Sequence, residues 1–289
     1  MAESNCPKIT IITPSYNQGR FLEQTILSVI GQGYSNLEYI IIDGGSTDNS
    51  VEIIKKYASH LTYWESEKDR GQAHALNKGF AQATGAIFGW INSDDFYLPN
   101  TLSFVAEQLN ARSPEFLFGN CLHFVNDEPR AYGSDVRGEH ERRDLRLADY
   151  IIQPSSFWTR DTWLKAGPLD ESLHFGFDWE WFVRAMKAGV AFKAVDRYLS
   201  AYRIHEAHKT AVGGDKRRVE LASIYGRHVG ANYEQLFLRC CARPRLAFSR
   251  KWLSLLRLMR FEPALLKAAF PIMFRGFRQN EIRDMMTML

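Results

Sequence analysis

The chain has 289 residues, 45% hydrophobic and 13% aromatic, with a formal net charge of +3. That composition supports a substantial core and excludes a chiefly disordered chain; the length suits one large α/β domain or two modest ones. No apolar run reaches the roughly 18–20 residues of a spanning helix, and the start lacks a basic region followed by a long apolar stretch, so neither a membrane span nor a secretory leader is expected.

In chain order, "KITIITPSYN" reads as a β-branched strand, Ile9 to Thr13, stopped by Pro14. Phe21, Leu22, Thr25, Ile26 and Val29 follow at helical spacing, with Gly31 and Gly33 as the stop. A second apolar strand runs to Ile42. After it a polar turn leads to a helix through Val51, Ile54 and Tyr57, which Asp48 can cap. "LTYWES" is a short third strand, "GQAHALNKGFAQAT" a helix ending near Gly85, and "AIFGWIN" a further buried strand. A helix from about Pro99 to Leu109 comes next. Phe116 to Arg143 looks less regular and suggests hairpins or an extended loop. Beyond it lie a strand at Ser155–Thr159, a helix at Asp161–Ala166, a helix at Asp178–Lys187 and two short strands within "VAFKAVDRYLSAYRIH". The four cysteines show no CxxC spacing, which points to packing in a reduced, cytosolic compartment.

Strands that are continuously apolar and alternate with helices imply a parallel sheet covered on both faces. Ligands of such sheets bind beyond the carboxyl ends of the strands. Thr13–Asn17, Asp43–Asp48 and Asn92–Asp95 each follow a strand, so the three polar clusters are expected to share one edge. Asn92, Ser93, Asp94 and Asp95 offer hard oxygen donors of the kind Mg²⁺ or Mn²⁺ takes beside substrate phosphates. Taken alone, the same four residues equally suit a helix cap or a solvated turn.

Three stretches together change that balance: "ITPSYNQGRFLEQTILSVIGQGYSNLEYIIIDGGSTDNS", "DRGQAHALNKGFAQATGAIFGWINSDDFYLP" and "FDWEWFVRA". In this order they resemble the nucleotide-sugar-dependent glycosyltransferases of family 2, across roughly Lys8 to Thr210. The resemblance implies a GT-A fold, a Rossmann-like, mostly parallel central sheet flanked by helices. It implies that Thr13, Pro14 and Tyr16 contact the nucleobase, with Tyr16 stacking on it. Asp43 accepts a hydrogen bond from uracil or ribose, with Gly44 and Gly45 admitting the nucleotide close to the backbone. Asp69 contacts the base, and Arg70 assists there or faces the phosphates. Asn92 and Asp94 occupy the ends of the Asp-x-Asp signature, with Ser93 between them on the donor nucleotide. Asn92 departs from that signature and removes one negative charge. Asp94 is implied to ligate a divalent cation, Mg²⁺ or Mn²⁺, joined by His205; His208 and Lys209 are neighbours able to grip phosphate.

The resemblance places the catalytic base at Asp178, where a helix start also favours an ionised carboxylate. A helix N-cap is the structural alternative. Glu180 points to another side of the helix and is the poorer candidate. Trp158, Trp163, Trp179 and Trp181 flank the acceptor side but suit a core equally well.

Residues 243–289 hold ten Lys or Arg against three Asp or Glu, leaving 26 and 30 in the rest of the chain. Within this tail Trp252, Leu253, Leu255, Leu256 and Met259 share one helical side, and Arg250, Lys251, Arg257 and Arg260 the other. That pattern fits a helix lying on the inner leaflet of an anionic membrane, through about 244–280, or one packed on the catalytic domain or a second subunit. Nucleic acid is not an expected partner. The expected organisation is a catalytic domain over 1–212, with nucleotide-binding and acceptor halves meeting near 110, and a basic helical region over 213–289. The function implied is inverting transfer of a sugar, most simply from a UDP-sugar, to a glycan or lipid-linked acceptor of surface polysaccharide synthesis. A sugar-nucleotide nucleotidyltransferase and a non-catalytic membrane-associated scaffold are the alternatives. The absence of GxGxxG after the first strand disfavours a dehydrogenase.

Overall fold

The computed structural model describes residues 6–125, 131–206, 213–243 and 262–289. Strand β1 (Ile9–Ser15) lies between β2 (Leu37–Asp43) and β4 (Ile87–Trp90), parallel to both, and β3 (Tyr63–Ser66) adds to the far side of β2. All seven residues of β1 are buried, so a polar substitution anywhere along it loses core packing. The strand does not stop at Pro14, as expected from the sequence, but continues to Ser15, with Pro14 opposite Ile42. Pairing with β4 ends at Ile12 opposite Trp90, so the missing Pro14 N–H falls beyond that neighbour and costs no ladder bond.

Helix α1 (Gly19–Ile30) buries Phe21, Leu22, Thr25, Ile26 and Val29, one stripe at the 3.6-residue period. It ends where the Gly31 N–H bonds to the Leu27 carbonyl. Helices α2 (Ser50–Lys56), α3 (Gln72–Gln82) and α4 (Thr101–Gln108) complete the expected βαβ alternation. Full burial of side chains such as Leu22, Ile26 and Leu102 contributes about 1.5–3 kcal/mol each relative to exposure.

Past residue 110 the pairing becomes mixed. Strand β8 (Ser156–Thr159) is antiparallel to β4 and to β6 (Glu115–Val125), whereas β9 (Ala191–Ile204) runs parallel to β6. The short β5 (Phe96–Tyr97) and β7 (Ala131–Gly133) pair antiparallel with β9 and β6. Among the described residues the nine strands form one sheet in the order β3-β2-β1-β4-β8-β6-β9-β5, with β7 on β6. Two expectations are corrected here. The irregular region from Phe116 opens with an 11-residue strand, and the two short strands after Val190 are one strand of 14 residues. The cause is a shift in register around Asn120, where β9 carries extra residues. The polar Val195–Arg197 stretch reads as a break in the sequence, but the bulge absorbs it. Gly119 permits the close approach; a Cβ there would lie 2.7 Å from the Arg197 carbonyl oxygen.

One face of the sheet is aromatic. Trp158 packs on Trp181, with ring centroids 4.7 Å apart, and on Trp90 at 5.3 Å; Phe116 stacks on Phe192 at 4.6 Å. These rings come from α7 (Phe177–Lys187) and the strands beneath, and Phe80 of α3 and Trp163 of α6 (Arg160–Ala166) join them. Trp158, Trp179 and Trp181 are therefore core residues, and Trp163 is half-buried on Phe80.

At the opposite end of the strands from the polar clusters, Glu38 is buried yet fully satisfied. Its carboxylate accepts from Thr10 Oγ1 at 2.5 Å, Thr84 Oγ1 at 2.6 Å, Thr84 N at 2.7 Å and Lys8 Nζ at 2.9 Å. Burial pushes the carboxyl up, but the bonds from Thr10, Thr84 and Lys8 outweigh it and bring the pKa down to about 2 from 4.5. A folded pKa below the unfolded one stabilises above about pH 4.5, and that contribution disappears as pH falls through about 2. Glu38→Gln is expected to lose about 3 kcal/mol at neutral pH. Its thermal midpoint should also fall less steeply than wild type on acidification, and parallel melting curves would refute the assignment.

The chain divides into two units. The first comprises Met1–Gly138 with Ile151–His208, and the second Glu139–Tyr150 with Lys209–Leu289. The division near residue 212 expected from the sequence thus has an addition, Glu139–Tyr150, which goes with the C-terminal part. In the second unit, α8 (Gly214–His228) and α9 (Ala231–Cys241) meet through Tyr225 and Phe237, whose rings are 5.1 Å apart. The Tyr225 hydroxyl donates to the Leu147 carbonyl at 2.7 Å. Helix α11 (Gln279–Met286) places buried Asp284 to accept from the Asp144 N–H at 3.1 Å and from Arg283 at 2.8 Å. The amphipathic stretch Arg250–Arg260 lies outside the described residues, as do His208 and Lys209. Among the described residues no helix is long and apolar enough to cross a membrane.

Candidate active site

The parallel strands β1–β4 place their carboxyl ends along one edge, and the polar clusters meet there. The first two are stitched together. Asn17, in the left-handed region at φ 52°, accepts from the Thr47 N–H at 2.8 Å and donates its own N–H to Ser46 Oγ at 2.8 Å. Asp48 accepts from the Gly19 N–H at 2.9 Å and from Ser50 N and Oγ at 3.0 and 2.5 Å. One carboxylate therefore anchors the starts of both α1 and α2, adding favourable charge at two helix N-termini.

Asp43 is fully buried. It accepts from Ser46 Oγ at 2.6 Å, Ser66 Oγ at 2.7 Å, Ser46 N at 2.8 Å and Gly45 N at 3.1 Å. Both oxygens have partners within the protein, so Asp43 shapes the loop that follows β2. Thr13 is likewise turned inward, with its hydroxyl 3.0 Å from that of Tyr39. Pro14 is buried, whereas Tyr16 is 62% exposed and offers its ring at the rim.

Asp69 accepts from the Gly71 N–H at 2.8 Å, a bond the positive φ of Gly71 allows. Its other oxygen occupies the space beside Gly44, where a Cβ would lie 2.6 Å away. Gly44 is thus the residue that lets Asp69 reach the edge of the second loop. Arg70 is engaged elsewhere: its guanidinium meets Glu171 at 2.5 Å, and Asn77 donates to the same carboxylate at 3.0 Å. Asn77 and Arg70 hold the Glu171 carboxyl below its ordinary range. As placed, Arg70 joins the loop after β3 to the segment preceding α7.

The third cluster sits at the tip of β4. Strand β5 runs antiparallel to β9 with Phe96 opposite Ala201, and continuing that register brings Arg203 beside Asp94. The Arg203 N–H bonds to Asp95 Oδ1 at 3.0 Å, and its Nε donates to the Asp94 carbonyl at 3.0 Å. The guanidinium also meets Gln24 and lies over the rings of Phe21 and Phe124, 4.6 Å from each centroid. His205 Nε2 is 3.0 Å from Asp94 Oδ2, and its ring packs on Phe21 at 4.9 Å. Ser93 is buried.

The two adjacent carboxylates at this tip differ in surroundings, Asp95 buried and Asp94 partly exposed. Burial, then the neighbouring Asp94, push the Asp95 carboxyl well above the ordinary range, against the pull of Arg203 and Asn92.

Asp178 is half-buried in the first turn of α7 and accepts from the Trp179 N–H at 2.8 Å. The adjacent Phe177 packs on Trp90, the last residue of β4, with ring centroids 6.3 Å apart. That contact sets the start of α7 at the same end of the sheet as the Asn92–Asp95 tip. Glu180 is buried and paired through both oxygens with Arg184 at 2.9 Å, so it is committed to the helix.

Among the described residues no cluster of three or more His, Cys, Asp or Glu suits a metal ion. The Asp94–His205 pair fits a smaller share of a coordination sphere. Asp94 Oδ2 and His205 Nε2 lie 3.0 Å apart, so both could reach one ion. A carboxylate and an imidazole, with phosphate oxygens and water as the rest, form a plausible donor set for a divalent cation.

The Glycosyl transferase family 2 profile matches residues 10–164, more than half of the chain. The chain belongs to glycosyl transferase family 2. An uncharacterized glycosyltransferase of Rickettsia typhi is 28% identical over 218 residues, 71% of this chain and 66% of that protein. One from Mycobacterium tuberculosis is 32% identical over 188 residues, 63% of this chain and 70% of the relative. Among solved structures, the mannosyltransferase PcManGT from Pyrobaculum calidifontis, in complex with GDP-Man and Mn²⁺, superposes with a TM-score of 0.62 over 99% of this chain and 85% of its own, at 16% identity. S. aureus TarS 1–349 in complex with UDP-GlcNAc gives 0.60 over 89% and 78%, also at 16% identity. At that identity the likeness shows the GT-A fold.

Within this family 2 member, Gln72, Gln153, Arg203, Phe21 and Gln24 join the tip without having been singled out in the sequence. Arg203 had a legible signal, since it stands two residues before His205 on a strand and so shares its side. The glutamines had none.

Proposed function

We propose that the protein transfers a sugar from a nucleotide-sugar donor, most simply a UDP-sugar, to a hydroxyl of a glycan or lipid-linked acceptor, with inversion at the anomeric carbon. The observation that carries this reading is the placement of Asp178 and the Asp94–His205 pair at one end of the sheet, joined through Phe177 and Trp90. The stitched loops after β1 and β2 form the nucleotide cradle, with Tyr16 available to stack on the base and Asp69 to accept from it. Asp178 takes the proton of the acceptor hydroxyl as its oxygen bonds to the anomeric carbon and the bond to the nucleoside diphosphate breaks. Asp94 and His205 would hold a divalent cation, which when bound supplies positive charge to the leaving diphosphate. Arg203 keeps Asp94 in place through its backbone carbonyl.

The relatives' complexes with UDP-GlcNAc and GDP-Man support a donor of the nucleoside diphosphate sugar class. Contact with the inner leaflet of a membrane from the cytoplasm is part of the proposal. Its support is the segment after α10 (Glu262–Ala269), where Ile272 is 90% exposed beside Pro271, with Arg275 and Arg278 also exposed. The test is a screen of UDP- and GDP-sugars with Mn²⁺, reading out nucleoside diphosphate. Release with at least one donor is expected; no release from any of them, with pyrophosphate set free instead from a nucleoside triphosphate and a sugar 1-phosphate, would indicate nucleotidyl transfer and overturn the reading.

A further inference from the structure

The side chain at the head of the β4 tip is an amide whose orientation is dictated from elsewhere in the fold. Gln153 lies in the short turn Gln153–Ser155 before β8 and is more than nine-tenths buried. Its Nε2 donates to the Trp90 carbonyl at 2.9 Å. A backbone carbonyl only accepts, so the Gln153 amide cannot turn over without setting two oxygens against each other. Its Oε1 therefore faces Asn92 and accepts from Nδ2 at 3.2 Å. The same Nδ2 donates to Asp95 Oδ2 at 3.3 Å, and Asn92 Oδ1 accepts from Gln72 Nε2 at 2.7 Å.

Counting capacities gives the consequence. An amide nitrogen has two hydrogens and an amide oxygen two acceptor sites. Both Asn92 hydrogens are committed, to Gln153 and Asp95, and one acceptor site is taken by Gln72. Asn92 thus meets a ligand as an acceptor, which suits a hydroxyl group and not a phosphate oxygen. An aspartate here would set an oxygen against Gln153 Oε1, which explains the amide at this position. We propose that Gln153 is a positioning residue that locks Asn92 with its oxygen toward the donor, where it accepts from a hydroxyl of the ribose or of the transferred sugar. This rests on the proposed nucleotide-sugar site.

The test is a double-mutant cycle on the full chain with Mn²⁺, measuring binding of UDP, UDP-GlcNAc, GDP-Man and pyrophosphate to wild type, Gln153→Met, Asn92→Ala and the double variant. Each single variant is expected to weaken a nucleotide that wild type binds by about tenfold, the double variant no further, and pyrophosphate should be unaffected. Gln153→Glu, which keeps the shape but sets an oxygen against the Trp90 carbonyl, should repeat the loss and also lower the thermal midpoint. Weakening already seen with UDP assigns the hydroxyl to ribose; weakening confined to the sugar nucleotides assigns it to the transferred sugar. Losses that add in the double variant, or equal losses for pyrophosphate, overturn the lock. Wild-type protein that binds none of the nucleotides overturns the proposed function and the lock together, whereas binding with a failed cycle overturns the lock alone.

Discussion

Replacing Asp178 with Asn is expected to lower kcat about a thousandfold while leaving nucleotide affinity within twofold of wild type. The substitution keeps shape and removes the ability to accept a proton; general-base contributions typically fall between about 10² and 10⁴. Asp178 is in the first turn of α7 and accepts from the next backbone N–H, which an Asn oxygen can still do. The core beneath is held by Phe177, Trp179 and Trp181, which the change leaves alone. The contrast with Glu180→Gln is equally informative. That variant breaks a buried ion pair with Arg184 and is expected to reduce stability more than turnover. Steady-state rates beside isothermal binding of the nucleoside diphosphate decide the matter. A variant at position 178 with rates near wild type would make the helix-capping role the whole of its contribution.

The second large effect concerns Asp94. Asp94→Ala removes one of the two groups proposed to hold the cation and leaves His205 without its 3.0 Å partner. Loss of about 10²- to 10³-fold in kcat/KM is expected, because charge stabilisation at a leaving diphosphate is worth several kcal/mol. The more specific readout is linkage. In wild type, Mn²⁺ should tighten binding of the nucleoside diphosphate, and in Asp94→Ala that increment should largely vanish. An undiminished Mn²⁺ effect in the variant would remove Asp94 from the cation site. Arg203 gives this prediction its structural control, since the backbone of Asp94 stays tied to Arg203 Nε whatever side chain the position carries.

Much of the nucleotide half was legible before any coordinates. The runs Ile9–Thr13, Leu37–Ile42 and Ile87–Ile91 are apolar on both faces, which only a covered parallel sheet accommodates. The turns after them were legible as a shared edge for the same reason. The site was legible unevenly. Asp94 and His205 stand together, but Asp43 and Thr13 turned out to serve the protein interior, because burial at a strand end commits their polar atoms to neighbours that sequence spacing does not reveal. Beyond residue 110 the register shift near Asn120 defeated the reading of β6 and β9. A bulge joins what polar residues separate, and its signal in the sequence is no more than a glycine.

What residue order determined here is whatever depends on near neighbours: the strand and helix periods, the glycine turns, the alternation that makes a doubly covered sheet, and the motif order of a family 2 glycosyltransferase. Tertiary structure decided which polar groups remain available. Burial and Asp94 raise the Asp95 carboxyl, Arg70 pairs with Glu171, and the Asn92 amide is met by a glutamine some 60 residues away that the Trp90 carbonyl fixes in turn. The reason is one of range. Backbone preference acts over a few residues, whereas desolvation and hydrogen-bond direction are set by atoms that only the folded chain brings within about 3 Å.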